Sequence, residues 1–131
     1  MNEKTDYEID EKLQAWVKEQ LDQAVRQFME EGLVKALLVE AKPAWALPFQ
    51  ILIGKVRERE QDEDYHWFIC GDLPTDHVPS SQASSAREVA RHFSLKWQLD
   101  AGRQDPLDQD LVQKAEALYE LVNEDSLWIT G

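Results

Sequence analysis

The chain has 131 residues, a length that fits one domain built around one hydrophobic core. Its 26 acidic and 14 basic residues give a formal net charge of −12, which repels phosphate backbones and anionic lipid surfaces. We therefore expect neither a nucleic-acid partner nor a membrane partner. Hydrophobic residues make up 43% of the chain, which indicates a globular protein rather than a disordered one.

The cysteine content points to a reducing compartment. Cys70 is the single cysteine, so an intramolecular disulfide is impossible, and we expect a cytoplasmic protein. The N-terminal residues are polar and acidic, without the basic start and apolar run of a signal peptide. No apolar run approaches the roughly 20 residues that span a bilayer.

The first predicted element is an amphipathic helix over residues 9–31. Its apolar stripe is formed by Leu13, Trp16, Val17, Leu21, Ala24, Val25 and Phe28. These residues recur at spacings of three, four and seven, which places them on one side of a helix. Gly32 follows and can take the left-handed conformation that ends a helix.

Three strands are predicted next, over residues 35–41, 49–58 and 65–70. Pro43 and Pro48 interrupt regular structure between the first two, so Trp45 is expected on a loop. The charged residues 57–64 predict a solvated hairpin tip. The third strand carries apolar side chains on both faces, which favours a central position in the sheet.

Two helices are predicted after an irregular loop over residues 71–82. Ser85 and Glu88 form a capping box that starts the first of them, and Gly102 ends it. Asp105 as N-cap and Pro106 in the first turn start the last helix. The apolar tail, which includes Trp128, is expected to dock on the core or on another subunit.

These elements predict an α+β fold in a single domain over residues 1–131. An N-terminal helix precedes a three-stranded antiparallel sheet, and two C-terminal helices pack on that sheet. Sequential short strands without helical crossovers favour the antiparallel arrangement.

The sharpest candidate for chemistry combines Asp72, Asp76, His77 and His92. Two carboxylates and two imidazoles suit a divalent metal, or a general base oriented by an acid. In the alternative interpretation the acids bond the backbone of their own turn and the histidines are structural. No spacing here is diagnostic of a metal site, and no established catalytic motif occurs, so we predict no metal and no cofactor.

Cys70 and two tryptophans are further candidates. Cys70 could act as a nucleophile if His66 or His77 lowered its pKa, but a buried cysteine more often fills a core. Trp45 and Trp128 lie outside the well-patterned elements and are candidate partner contacts. Alternatively, each covers one end of the core. The acidic runs 62–64 and 105–110 indicate a solvated face, or a surface for a basic partner.

The segments GDLPTDHVPSS (71–81) and AREVARHFSLKWQL (86–99) resemble small, mainly gammaproteobacterial proteins grouped as a domain of unknown function. This resemblance implies a bacterial, cytoplasmic origin. It implies no activity, so no functional residue is carried over from it.

We therefore expect a binding or regulatory module without catalysis, which uses a protein partner or a second copy of itself. The alternative is a small metal-dependent or acid–base enzyme built on the loop 72–77 and His92. A structural subunit without a ligand is the third possibility.

Overall fold

The computed structural model describes residues 3–34, 39–58 and 65–128. The chain divides into two compact units, Met1–Ser80 and Ser81–Gly131, here called the N-terminal and C-terminal units. Parts of the predicted first strand (35–38), of the hairpin tip (59–64) and of the tail (129–131) lie outside the described residues. The single domain and the packing of the last two helices on the sheet stay predictions.

Helix α1 (Glu3–Glu30) opens the N-terminal unit and confirms the predicted amphipathic helix. Gly32 has φ of +81°, as expected for the residue that ends it. The Leu33 amide donates to the Phe28 carbonyl at 2.9 Å, and the Gly32 amide donates to the Met29 carbonyl at 3.1 Å. This pair of bonds is a Schellman motif, which satisfies carbonyls that the last helical turn leaves unpaired.

The described residues contain four strands, not three: β1 (Val39–Leu47), β2 (Ile51–Glu58), β3 (His66–Gly71) and β4 (Asp76–Pro79). They form one antiparallel sheet in the order β1-β2-β3-β4, so β3 is internal, as predicted. The α+β class is confirmed. The predicted loop 71–82 was wrong where β4 pairs with β3, because a four-residue strand ending in proline lacks the alternating pattern that marks longer strands.

The connector predicted around Trp45 was also wrong, since β1 continues through Pro43 to Leu47. Pro43 pairs with Gly54, and the register shifts between Pro43 and Trp45. An edge strand tolerates proline near such an irregularity, because one side of its backbone has no neighbouring strand to bond. β1 is an edge of the sheet, so Trp45 lies on a strand opposite Ile53.

The turn between β1 and β2 holds an unusual residue. The Gln50 amide donates to the Leu47 carbonyl at 3.0 Å, which places Pro48 and Phe49 at the two corners. Phe49 has φ of +64°, a conformation that favours glycine or asparagine. Its ring lies 5.9 Å from that of Trp16 on α1.

The core of the N-terminal unit lies between α1 and one face of the sheet. Its buried members are Ala24, Phe28, Val34, Leu52, Val56, Phe68 and Cys70. The rings of Phe28 and Phe68 meet edge to face with centroids 5.8 Å apart. This aromatic pair joins the last turn of α1 to the internal strand β3.

The C-terminal unit contains α2 (Ala86–Gly102) and α3 (Gln109–Val122). The Ser85 side chain accepts from the Glu88 amide, which confirms the predicted N-cap. The role of Glu88 in the predicted capping box was wrong, because its carboxylate accepts from the amide and hydroxyl of Ser84 at 2.6 and 2.7 Å. Ser84 precedes the N-cap and offers two donors to the same carboxylate oxygen.

Helix α3 begins later than predicted. Its N-cap is Asp108, whose carboxylate accepts from the Leu111 amide at 3.1 Å, and not Asp105. Both aspartates have the chemistry of an N-cap, but Asp108 stands directly before the residues that continue the apolar stripe into Ala115 and Leu118. Leu107 is exposed and lies before the helix.

Candidate functional site

A groove of about 840 Å³ runs between α1 and the edge strand β1 in the N-terminal unit. The α1 wall contains Leu13, Val17, Leu21, Val25 and Met29. The β1 wall contains Val39, Ala41 and Pro43. All eight are apolar, and most are only half-buried. Exposed apolar surface arranged as a groove is typical of a binding site for another molecule.

The shape of the groove follows from the spacing of its α1 residues. Each of the five stands four positions after the one before, so together they form a continuous ridge on the helix surface. From Leu13 to Met29 the ridge is about 24 Å long at the helical rise per residue. Ala24 and Phe28 turn toward the sheet and are fully buried, whereas Val17, Leu21 and Val25 of the ridge pack against the core and stay only half-buried.

The rim of the groove carries charge of both signs. Lys18, Asp22 and Arg26 line it together with Gln14, which gives two cations and one carboxylate along this side of α1. The chain as a whole carries a net charge of −12. The charged lining residues of the groove therefore have a net charge of opposite sign to that of the whole chain.

The two loop aspartates take part in local backbone bonding. The Asp72 amide donates to the Gln50 carbonyl at 2.8 Å, and the Asp72 side chain is exposed. Asp76 begins β4, and its Oδ1 accepts from the backbone amide of His77 at 2.8 Å. The Asp76 bond is of the kind that the structural interpretation of the loop expects, whereas Asp72 contributes its backbone amide and not its carboxylate.

His77 is half-buried between α1 and the sheet. Its ring centroid lies 5.3 Å from that of Phe28 and 5.5 Å from that of His66. Nε2 is 3.7 Å from a carboxylate oxygen of Glu31, whereas Nδ1 is buried and finds no hydrogen-bond partner among the described residues. The ring thus packs at the end of the aromatic core and presents one nitrogen toward a carboxylate.

His92 belongs to the other unit. It lies on α2, with its ring centroid 5.1 Å from that of Phe93. Within the part of the chain that the structure describes, no group of three or more histidine, cysteine, aspartate or glutamate residues is placed to hold a metal ion. A site that joins His92 to Asp72, Asp76 and His77 stays a prediction.

A family model described as a domain of unknown function (DUF4826) matches residues 10–128. The chain belongs to the DUF4826 family. This match confirms the family resemblance noted over residues 71–99 and extends it to both units. No curated protein and no solved structure matches the chain. The family match includes the α1 and β1 walls of the groove.

Sequence reasoning on this DUF4826 chain missed the groove, although its signal was present. Leu13, Val17, Leu21 and Val25 belong to the apolar stripe predicted for the first helix, and Val17, Leu21 and Val25 do pack against the core. Apolar residues at every fourth position are expected both for core contacts and for a docking surface. The width of the groove beside these residues depends on the position of β1, and the sequence pattern predicted only part of that strand.

Cys70 of the DUF4826 chain lies in the core, 2% exposed, as the commoner of the two interpretations expected. Burial raises the pKa of its thiol to about 12. The thiolate is the nucleophilic form of cysteine, and it is almost absent at neutral pH when the pKa is that high.

We therefore predict that a thiol reagent does not label the native protein at pH 8 on the timescale that labels a free thiol. In urea concentrations that unfold the chain, one thiol should react per molecule. The rate of thiol release by an aromatic disulfide reagent measures this. Rapid labelling before unfolding would show that Cys70 is accessible and that its burial is transient.

The two candidate tryptophans of the DUF4826 chain are both half-buried. The Trp128 indole donates to the Leu121 carbonyl at 2.8 Å, from a short 3₁₀ helix (Asp125–Trp128) that follows α3. The described part of the tail therefore docks on its own chain. Partner binding by Trp45 or Trp128 stays a prediction. None of the helices in the described residues combines the length and apolar character needed to cross a membrane.

Proposed function

We propose that this protein is a small cytoplasmic binding module without catalysis, which holds an amphipathic helix of a partner protein in the α1–β1 groove. The observation that supports the proposal is the half-buried apolar ridge from Leu13 to Met29, which faces an apolar strand across an open groove. The cytoplasmic location rests on the single cysteine, which is buried and reduced.

A helix fits this groove better than an extended strand. A ridge of residues four apart packs against the corresponding ridge and groove of a second helix, the commonest class of helix packing. A groove of about 24 Å has the length of a helix of about 16 residues. Recognition of an amphipathic helix in an apolar groove is a recurrent mode of peptide binding.

Strand addition to β1 is disfavoured by the strand itself. A partner strand needs a regular row of backbone donors and acceptors along the edge. Pro43 lacks an amide proton, and the register shift between Pro43 and Trp45 interrupts the row near the middle of β1. Natural sheet edges use such features to prevent pairing with other chains.

The charges at the rim define the flanks of the expected partner helix. Lys18 and Arg26 favour acidic residues on the partner, spaced about two helical turns apart to match the eight positions between them. Asp22, midway between them, favours a basic or neutral residue. The partner helix is thus apolar at every third or fourth position and carries an acidic flank.

A charge placed in the groove should abolish partner binding. Met29 lies at one end of the ridge with 44% of its surface exposed, so Met29→Glu is expected to leave the fold intact. In the complex the new carboxylate would be buried against apolar side chains without a partner, and we expect at least a tenfold loss of affinity. Quantitative capture of interacting proteins from the source cells, followed by mass spectrometry, measures the loss.

The matched control is Leu95→Glu on α2. Leu95 is 48% exposed, so the substitution has the same chemistry at nearly the same exposure but outside the groove. A partner that is retained by Leu95→Glu and lost by Met29→Glu supports the proposal. Equal retention of every captured protein by both variants would contradict it.

A further inference from the structure

A second concave site lies on the face of the sheet opposite α1. It has a volume of about 280 Å³ and is lined by Glu40 and Lys42 of β1, Lys55 and Arg57 of β2, and Tyr65 before β3. Lys55 stands between Gly54 and Val56, and Val56 belongs to the core against α1, so Lys55 points to the other face. Three cations and one carboxylate thus meet in a protein whose net charge is −12.

Glu40 is at the centre of this group. Lys42 Nζ lies 2.8 Å from one of its carboxylate oxygens, and Arg57 donates to the other from a terminal nitrogen at 2.9 Å and from Nε at 3.1 Å. Hydrogen bonds from Lys42 and Arg57 lower the pKa of the Glu40 carboxyl to about 2. The carboxylate is therefore charged at every physiological pH, and it forms ion pairs with two of the three cations.

Lys55 has a different environment. Its Nζ lies 4.8 Å from the ring centroid of Tyr65 and 4.8 Å from that of Trp67. Among the described residues it makes no ion pair with a carboxylate. Contact with two ring faces fixes the ammonium group over the pocket without neutralising its charge.

We propose that this pocket binds a small oxyanion, a phosphate or a carboxylate group, with Lys55 as its principal contact. Lys55 supplies a positioned positive charge, and the Tyr65 hydroxyl can donate a hydrogen bond to the same group. Lys42 and Arg57 add positive potential that Glu40 offsets in part. The site lies on the opposite face of the sheet from the groove, and the inference does not rest on the proposed partner helix.

The role of Glu40 makes the proposal specific. If Glu40 competes with the bound anion for Lys42 and Arg57, Glu40→Gln removes one negative charge and leaves the same shape. Anion affinity should then rise, by about fivefold or more, since one carboxylate in or beside a site repels an oxyanion. If Glu40, Lys42 and Arg57 form only a structural ion-pair network, removal of Glu40 creates no saturable site.

The test is a titration of the full-length protein with inorganic phosphate at constant ionic strength, followed by two-dimensional amide NMR. Acetate is a second arm that separates carboxylate from phosphate, and chloride reports general screening. We expect saturable shifts at residues 40–42, 55–57 and 65–67 with phosphate, acetate or both. Lys55→Gln should weaken that binding at least fivefold, and Glu40→Gln should strengthen it.

Lys114→Gln is the control, because Lys114 lies on α3 and pairs with Asp110 in the other unit. It should leave the anion affinity unchanged. Shifts that stay linear in anion concentration, or that are the same in Lys55→Gln and Lys114→Gln, would overturn the proposal. Peak dispersion in the same spectra shows that each variant is folded.

Discussion

Phe28→Ala is expected to lower the free energy of unfolding by about 3–5 kcal/mol, the usual cost of truncating a fully buried aromatic side chain. Phe28 is 0% exposed and contacts the rings of Phe68 and His77, with centroids 5.8 and 5.3 Å away. Its carbonyl also accepts the amide of Leu33 in the motif that ends α1. The substitution therefore leaves a cavity where the helix, the sheet and the helix end meet.

Phe49→Ala provides the matched control. Phe49 is 43% exposed and, among the described residues, its ring meets only that of Trp16, so the same truncation should cost about 1 kcal/mol or less. Urea denaturation followed by far-ultraviolet circular dichroism measures both values, provided that the slopes of the transitions agree. Similar losses for the two variants would mean that the contact between α1 and the sheet does not organise the core of the N-terminal unit.

Gly71→Ala is the second substitution with a large expected effect. Gly71 has φ of +106°, which side chains rarely tolerate, and an added Cβ would overlap the carbonyl oxygen of Gln50. That carbonyl accepts the amide of Asp72 at 2.8 Å, so it cannot move without losing a hydrogen bond. Backbone strain of about 1–3 kcal/mol and overpacking of similar size make a combined loss of roughly 2–6 kcal/mol.

Gly102→Ala tests whether the Gly71 effect depends on geometry rather than on the loss of glycine as such. Gly102 ends α2, and an added Cβ there would meet no atom within 4 Å. Alanine should leave stability unchanged or raise it by up to about 1 kcal/mol, because it restricts the unfolded chain and favours the helix. Thermal unfolding by differential scanning calorimetry compares the two. A Gly71→Ala protein as stable as Gly102→Ala would contradict the geometry of the β3 end.

Gly71 directly precedes the loop 72–77, which contains the candidate residues Asp72, Asp76 and His77. The backbone conformation of Gly71 directs the chain so that the Asp72 amide donates to the Gln50 carbonyl and β4 can pair with β3. Asp76, after Leu73 and Pro74, then accepts from the backbone amide of His77. A conformation that only glycine tolerates thus fixes the shape of the loop before any ligand is considered.

The sequence predicted those elements in which one strong local signal dominates. The apolar stripe before Gly32 identified α1 and its end, and Ser85 identified the start of α2. The two-sided apolar pattern of residues 65–70 identified the internal strand. In each case the local sequence preference and the tertiary environment favour the same structure, so the element can be predicted from the sequence.

Other elements depended on context that the pattern does not contain. β1 includes Pro43 because it is an edge strand, and β4 is short because it pairs only with β3. Asp105 and Asp108 offer the same capping oxygen, and the choice between them depends on where the apolar stripe of α3 begins. Ser84 and Ser85 compete in the same way for the Glu88 carboxylate.

The candidate sites likewise divide into those that a local sequence pattern predicts and those that depend on tertiary context. Cys70 was expected in the core from its strand, and its burial is confirmed. The α1–β1 groove and the pocket around Lys55 cannot be predicted without the position of β1 beside α1 and β2. Glu40 and Lys42 lie on β1, and Lys55 and Arg57 lie on β2, so only the antiparallel pairing of these strands brings the two pairs of residues together.

The most direct test of the proposed function is photo-crosslinking in the source cells from a benzophenone amino acid at position 29, with position 95 as control. We expect a crosslink from position 29 to one protein, at an apolar residue of an amphipathic helix with an acidic flank, and no such product from position 95. No product from position 29, the same products from both positions, or a crosslink only to a second copy of the chain would contradict it.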